Sequence, residues 1–537
     1  MKKYLKICLL LTFLILSNTT LLSRIIEMVG SGRILNALIF CAIWIVCLIA
    51  FFIGSYSTKG VFRFLFASLV CFSTFAGMTY LDIGKHFLNF EDMELLWISK
   101  EHAAKVFSFY IDFMTWPFFL SLFGFFAILI GERKTLFGSC VRKYTNALCI
   151  SPFILLALIS YQKGGYGTKS MPMQYTTIST FLLFQSYNFF LPGMNSKRSA
   201  VKIPLIKKDK ESIKHIIFIV DESIRADYLD FEENNSLTPY ISSNLNRFIN
   251  FGEASSANNC SGYSNAVLRL GGIKNNLATI GQNPTIWNYA KNAGFKTYYV
   301  DGQLKNGELQ NFMSGSEFES ITQMVQFNDT PEDLLDHKIA EKLREIVSSD
   351  TPSFVYVNKR GAHFPYVESY DKDQAIFLPQ MDPLDKPGEN REKFINSYKN
   401  SIVWNVDKFF EIFLENLDLS KTLVFYTSDH GQNLLDRGIQ THCNTVAPHP
   451  FEGFVPAAIL TDSVELQKFY KEKSLVLKDK LTHFHFFPEI IKQMGYKRSE
   501  VFKVFGVDFE DGYIKQEFSA GALLPRFGRD VQWYPIR

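Results

Sequence analysis

Hydrophobic positions are unevenly distributed along the 537 residues of the chain. The first third carries five apolar runs, 5–22, 34–53, 61–81, 113–130 and 147–159. Each is close to the roughly 20 residues that cross a bilayer as a helix; the last is the shortest and contains Pro152. From residue 212 onward the pattern changes to short β-prone apolar runs that alternate with stretches of helical spacing. Strands are expected at 215–220, 297–300, 353–357, 422–426 and 455–460, and helices at 239–248, 285–293, 331–347, 391–413 and 482–494. Such alternation predicts an α/β domain with a mostly parallel central sheet. The organisation read from the pattern is an α-helical transmembrane bundle over 1–160, an interfacial linker over 161–211 and an α/β domain over 212–537.

The first apolar run begins after Met1-Lys2-Lys3, as a signal peptide would, but it is long, lacks a small-x-small cleavage site and is followed by four more. It is therefore expected to stay as an uncleaved anchor. With the N-terminus inside, the cytoplasmic segments hold Lys2, Lys3, Lys6, Lys59, Arg63, Arg133, Lys134, Arg142 and Lys143. The outward loops hold Arg24, Arg33, Lys85, Lys100 and Lys105, set among Glu91, Asp92, Glu94 and Glu101. This bias and five crossings put everything after about residue 160 outside the cytoplasm. The aromatic, charged loop 82–112 suits the lipid interface. The linker opens on Gly164, Gly165 and Gly167, passes an apolar stretch at 178–191 and ends among Lys197, Arg198, Lys202, Lys207, Lys208 and Lys210. It reads as a surface-lying segment that meets anionic head groups; a sixth crossing at 178–191 would instead leave the α/β domain in the cytoplasm.

A net charge of +3 gives no basic surface for nucleic acid. Of eight cysteines, Cys8, Cys41, Cys47, Cys71, Cys140 and Cys149 sit in or beside the apolar runs, where a buried thiol is ordinary. Cys260 and Cys443 are alone in the α/β part. Two free thiols are the preferred reading, with a disulfide the alternative in an oxidising compartment.

Chemistry gathers where two of the expected strands end. The run 422–426 leads into Asp429-His430-Gly431, and the run 216–220 into Asp221 and Glu222, with Arg225 close behind. Neighbouring strands of an open sheet present such ends to one crevice. A third segment, 258–270, is small and polar before it turns apolar with helical spacing, so it reads as a loop feeding a helix N-terminus, where unpaired amides favour an anion. Ser264 falls near the first turn. Glu222, Asp429 and His430 supply two carboxylates and an imidazole, a set that suits Zn²⁺, or Mn²⁺ in its place, with a fourth position for Ser264. A serine so placed becomes a nucleophile at neutral pH. Taken singly, each has an ordinary explanation, a strand-end acid facing water or a helix-capping serine. His363 and His442 lie in loops that follow the same placement rule and suit proton transfer or phosphate binding; His449, between two prolines, is weaker.

These motifs resemble those of the membrane-anchored phosphoethanolamine transferases of Gram-negative bacteria, within the alkaline phosphatase and sulfatase superfamily. Members carry Gly-Glu-Thr-x-Arg with a zinc-binding Glu; residues 221–225 match in Glu222 and Arg225. Their Ser-Asp-His-Gly stands here as Ser428-Asp429-His430-Gly431, their Asn-x-x-Gly-x-His as Asn358 to His363, and their Leu-His-Gly as Thr441-His442-Cys443. Their nucleophile is a Thr four residues after a Cys, a spacing kept by Cys260 and Ser264. Asp221 replaces Gly, Ser264 replaces Thr, and the disulfides usual in the best-known members have no cysteines to form them.

The resemblance implies a sulfatase-like periplasmic domain on an inner-membrane anchor, acting as a monomer. It implies transfer of phosphoethanolamine from phosphatidylethanolamine, through Ser264 at a zinc site, to lipid A or a lipooligosaccharide core. Rivals are a phosphoglycerol transferase using phosphatidylglycerol, a sulfatase or phosphodiesterase, and an anchored binding protein without catalysis. Sulfatases of the superfamily need a modified Cys or Ser followed by x-Pro/Ala-x-Arg, which neither Cys260 nor Ser264 provides.

Overall fold

The computed structural model describes all residues except 1, 59, 99–102, 131–143, 191–197, 207–212, 230, 314, 383–384, 386–387, 389 and 439. Lys59, Lys100, Glu101, Arg133, Lys134, Cys140, Arg142, Lys143, Lys197, Lys207, Lys208 and Lys210, counted above, lie outside the described residues. The chain forms two compact units, Met1–Pro192 with Arg526–Arg529, and Gly193–Pro525 with Asp530–Arg537.

The first unit is helical. Ile34–Ser55, Gly60–Gly84 and Tyr110–Leu129 are each long and apolar enough to cross a membrane, and Tyr4–Ser17 with Leu21–Gly30 meets the same measure only as a pair bent by 56°. The fifth expected run is the shorter apolar helix Asn146–Gln162. Lys6 explains how charge is accommodated here: its ammonium donates to Ser55 O at 2.7 Å and to Ile128 O at 2.8 Å. Arg63 donates to Leu129 O at 2.9 Å. Two cations thus satisfy the open carbonyls at the C-terminal ends of two helices, where the helix dipole favours them.

The expected surface-lying linker is corrected by this unit. Met173–Phe190 is a helix packed against Gly60–Gly84 and Thr145–Gln162, and residues 173–177 are buried. Its polar side chains find partners inside the unit: Thr177 Oγ1 donates to Ser73 O at 3.0 Å, and Gln174 Nε2 to Ser17 Oγ at 2.7 Å. Polar groups that satisfy one another no longer need the surface.

The second unit is built on a seven-stranded sheet. Its strands are β1 (His215–Asp221), β2 (Phe248–Ser255), β3 (Lys296–Asp301), β4 (Gln323–Gln326), β5 (Ser353–Asn358), β6 (Thr422–Ser428) and β9 (Phe454–Leu460), in the order β2-β9-β6-β1-β5-β3-β4. Pairings are parallel except those made by β9, which is antiparallel to both β6 and β2. Two short antiparallel pairs, β7–β8 (Asn433–Leu434 and Gln440–Thr441) and β10–β11 (Glu517–Ser519 and Trp533–Pro535), lie outside it. The central strands are buried on both faces, so they read as unbroken apolar runs. Ile217, Ile219, Val355, Val357 and Tyr426 enter one core with Phe394, Tyr398 and Phe410, while Ile216, Phe218, Tyr356 and Phe425 enter another with Trp287, Phe486 and Ile490. The expected helix at 239–248 is cut short: Pro239–Ser243 is helical and Phe248 already begins β2.

Candidate active site

The register places the site. Asp221 pairs with Ser428, so Glu222 and Asp429 leave the C-terminal ends of β1 and β6 side by side. The chain then turns through Ser223, whose φ is +62°. Ser223 N donates to Asp429 Oδ1 at 3.1 Å, and Ile224 N to Ser428 Oγ at 2.8 Å. Gly431 is required by close approach rather than by its own dihedrals, since a Cβ there would collide with Phe451 O and stand 2.7 Å from Phe454 O. Gly361, after β5, needs both properties: its φ is +51°, and a Cβ would meet the Asp221 carboxylate and Glu222 O.

Glu222, Asp429 and His430 converge. His430 Nδ1 donates to Gly431 O at 2.7 Å, which leaves Nε2 as the lone-pair face. That atom is 3.4 Å from Glu222 Oε1 and 3.4 Å from Asp429 Oδ2. Asp429 Oδ2 is buried and accepts no hydrogen bond. Burial opposes charge on His430, but the neighbouring carboxylates outweigh it and push the imidazole up to about 9. Burial and the charge of Glu222 push Asp429 up to about 8. Glu222 is held well below the usual carboxylate range despite burial, by the His430 hydrogen bond and by charge on His430, His363 and His442. Two buried carboxylates, one with an oxygen that accepts no hydrogen bond, and an imidazole lone pair form a donor set that a divalent cation neutralises.

His442 joins the same cluster. Its Nδ1 donates to Gln432 Oε1 at 3.1 Å, its ring lies 3.9 Å from that of His430, and one donor atom each of Glu222, His430 and His442 fall within 4.8 Å of one another. Burial, then the charge of His430, hold its pKa well below the ordinary value. His363 is near enough for its charge to act on Glu222 and His442.

Ser264 is not at the cluster. Its hydroxyl is buried, donates to Asn258 O at 2.7 Å and accepts from Asn258 N at 3.0 Å, so it fastens the loop it follows. Ser261 takes the expected position. Cys260 is the N-cap and Ser261 the first residue of the helix Ser261–Leu270. Ser261 Oγ lies 3.0 Å from His430 Nε2 and 3.4 Å from Glu222 Oε2. The helix begins earlier than apolar spacing suggests because the turn is set by polar loop contacts, including Cys260 N to Asn258 Oδ1 at 2.9 Å.

Other neighbours carried no sequence signal. Gln303, just past β3, donates to Glu222 Oε2 at 2.9 Å and to Lys359 O at 2.8 Å. His483 joins two sides of the cluster, accepting from Ala257 N at 3.2 Å and donating to Ser428 O at 2.9 Å. Burial holds it down to about 3, so it works as a neutral imidazole. Asp221 faces Lys359 at 2.7 Å and accepts from Tyr426 at 2.8 Å, which makes it part of a buried ion pair beneath the site. Arg225 is engaged by Asp227 and Asp436 and lies over the Phe451 ring. His449 has the ordinary role, accepting from Phe451 N as a helix cap. Cys260 and Cys443 are disulfide-bonded, against the preferred reading of two free thiols.

Comparison with known proteins agrees with this architecture. Over 230 residues the chain is 23% identical to the Kdo(2)-lipid A phosphoethanolamine 7''-transferase of Escherichia coli K12, covering 42% of this chain and 40% of that one. It thus spans less than half the length of that relative. The integral membrane lipooligosaccharide phosphoethanolamine transferase A of Neisseria meningitidis superposes with a TM-score of 0.66 at 14% identity, covering 92% of this chain and 96% of that one. The C-terminal periplasmic domain of EptC from E. coli, solved in complex with Zn, gives a TM-score of 0.50 at 16% identity over 60% of this chain and 94% of that one. The Sulfatase family model matches residues 214–496, just over half of the chain and all seven strands of the central sheet. The chain, whose mostly parallel α/β unit carries acids and histidines at its strand ends, belongs to the Sulfatase family.

Proposed function

We propose that the chain is a metal-dependent phosphoethanolamine transferase of the bacterial inner membrane, with its α/β unit in the periplasm, acting as a monomer. Phosphatidylethanolamine is the donor, and a hydroxyl or phosphate of lipid A or a lipooligosaccharide core is the acceptor. The observation that carries the reading is Ser261 Oγ, 3.0 Å from His430 Nε2 at the first turn of a helix. Relatives named as phosphoethanolamine transferases support it.

Glu222, Asp429 and His430 would hold the ion, with His442 and Ser261 bordering it. The mixed carboxylate and imidazole set fits Zn²⁺, and Mn²⁺ less closely. When bound, the ion lowers the pKa of the serine and takes up negative charge on phosphorus. Ser261 gives up its hydroxyl proton to solvent and its Oγ bonds to phosphorus as the bond from phosphorus to the diacylglycerol oxygen breaks, and the free amides of the first helical turn face the phosphoryl oxygens. His363 supplies the proton to the departing alkoxide, while His442, held neutral, borders the ion. The acceptor oxygen then bonds to the same phosphorus and loses its proton, the bond from phosphorus to Ser261 Oγ breaks, and the serine oxygen takes a proton to become a hydroxyl again.

A phosphoglycerol transferase would share the serine and the ligands. A sulfatase is disfavoured because Ser261 is followed by Gly262, Tyr263, Ser264 and Asn265, without the x-Pro/Ala-x-Arg pattern. The test is diacylglycerol release from vesicles of phosphatidylethanolamine or phosphatidylglycerol. Release from the first, abolished by a chelator and restored by Zn²⁺, is expected. Release from phosphatidylglycerol alone would replace this reading with its rival.

A further inference from the structure

The Cys260–Cys443 disulfide joins the residue before Ser261 to the residue after His442 across 183 positions of sequence. Neither cysteine belongs to the two apolar cores that hold the sheet. Besides it, the His442 loop is held by polar contacts and by the His430 ring: His442 on Gln432, Cys443 N to Asn259 O at 3.0 Å, Asn259 Nδ2 to Asn444 O at 3.1 Å, and Asn444 N and Nδ2 on the Glu452 carboxylate at 3.2 and 2.6 Å. The preceding pair of strands, β7–β8, is two residues on each side. The backbone around it is costly to hold, since Leu435, Arg437, Thr441, Cys443 and Ala447 all have positive φ. A loop of that kind needs a tether, and the only covalent one among the described residues ends at the N-cap of the Ser261 helix.

We propose that the Cys260–Cys443 disulfide is a positioning element of the metal centre, acting through His442: it brings the His442 imidazole to the Glu222–His430 pair. The proposal rests on the reading that this cluster binds a divalent ion. It makes the centre sensitive to reduction. A dithiol that donates two electrons and two protons would break the S–S bond, give two thiols and itself become a disulfide, and His442 would be released while the sheet stays folded.

The test uses the full-length protein in detergent and Zn²⁺ alone, with affinity measured by competition against a chromogenic chelator. Cys260→Ala/Cys443→Ala is preferred to reduction, because freed thiols would themselves bind zinc. Zinc affinity should fall at least tenfold in this variant and by a similar factor in His442→Ala. Combining the two changes should cost no more than either alone, and all variants should keep a cooperative thermal transition. Unchanged affinity in the double cysteine variant, or a further tenfold loss when it is added to His442→Ala, would overturn the positioning role. Loss of the cooperative transition would overturn it too, by making the bond a requirement of folding. Failure of the unmodified protein to bind Zn²⁺ would remove the metal reading and this inference together.

Discussion

Lys359 is the residue whose loss should be felt most in the fold beneath the site. It is fully buried, with its ammonium 2.7 Å from Asp221 Oδ2, 3.6 Å from Asp336 Oδ2 and 2.5 Å from Asn405 O, and it lies over the Phe409 ring. Lys359→Met keeps most of the side chain's volume and removes the charge together with the hydrogen bonds it donates to Asp221 and Asn405 O. Two carboxylates then remain in a dry interior: Asp221 with Tyr426 and Glu222 N, and Asp336 with the amides of Arg360 and Gly361. Burial already pushes Asp221 up to about 6 against the pull of Lys359. Breaking a buried pair from one side costs about 3–5 kcal/mol. At about 2 °C per kcal/mol for a large domain, this lowers Tm by about 6–10 °C. The assay is thermal unfolding of full-length protein in detergent, followed by circular dichroism, for the wild type, Lys359→Met, and Lys359→Met/Asp221→Asn. The second substitution removes one stranded charge and should recover about half of the loss. A single variant that melts within about 2 °C of wild type, or a double variant that melts lower still, would refute the reasoning that burial without a partner is what costs.

Ser261→Ala should abolish transfer with Tm nearly unchanged. Ser264→Ala should keep transfer and lose about 1–3 kcal/mol, because Asn258 N and O lose their buried partner; activity assays and melting curves on both variants separate the two serines. Gly361→Ala should lose zinc binding and at least about 2 kcal/mol, since its Cβ meets Glu222 O at 2.6 Å and the backbone must give way. His215 is held down to about 4 by burial and then by Lys214. Its depressed pKa means the unfolded chain takes up the proton first, so stability is full above about 6.5 and is lost as pH falls towards about 4. His215→Phe should therefore shrink the stability difference between about pH 7.5 and about pH 5 by about 2 kcal/mol, as measured by denaturant titration at both values.

The strand ends were legible in the sequence because a doubly buried strand followed by charged residues is a loud signal. Thr422 to Tyr426 ran straight into Asp429 and His430, and both reached the cluster. The start of the helix was read too late for the opposite reason. Where a helix begins is decided by capping contacts, here Cys260 N on Asn258 Oδ1, which apolar spacing does not register. Gln303 and His483 were invisible, because each reaches the cluster from an element whose own pattern says only strand end or helix start. The linker was misjudged because Thr177 and Gln174 look like surface residues until Ser73 and Ser17 are known to receive them.

Mass spectrometry of the full-length protein, quenched after incubation with phosphatidylethanolamine vesicles and Zn²⁺, tests the central claim most directly. A phosphoethanolamine adduct mapped to Ser261 is the predicted result. An adduct on Ser264, one of phosphoglycerol mass from a mixed vesicle, or turnover with no adduct on the Cys260–Leu270 peptide would contradict it.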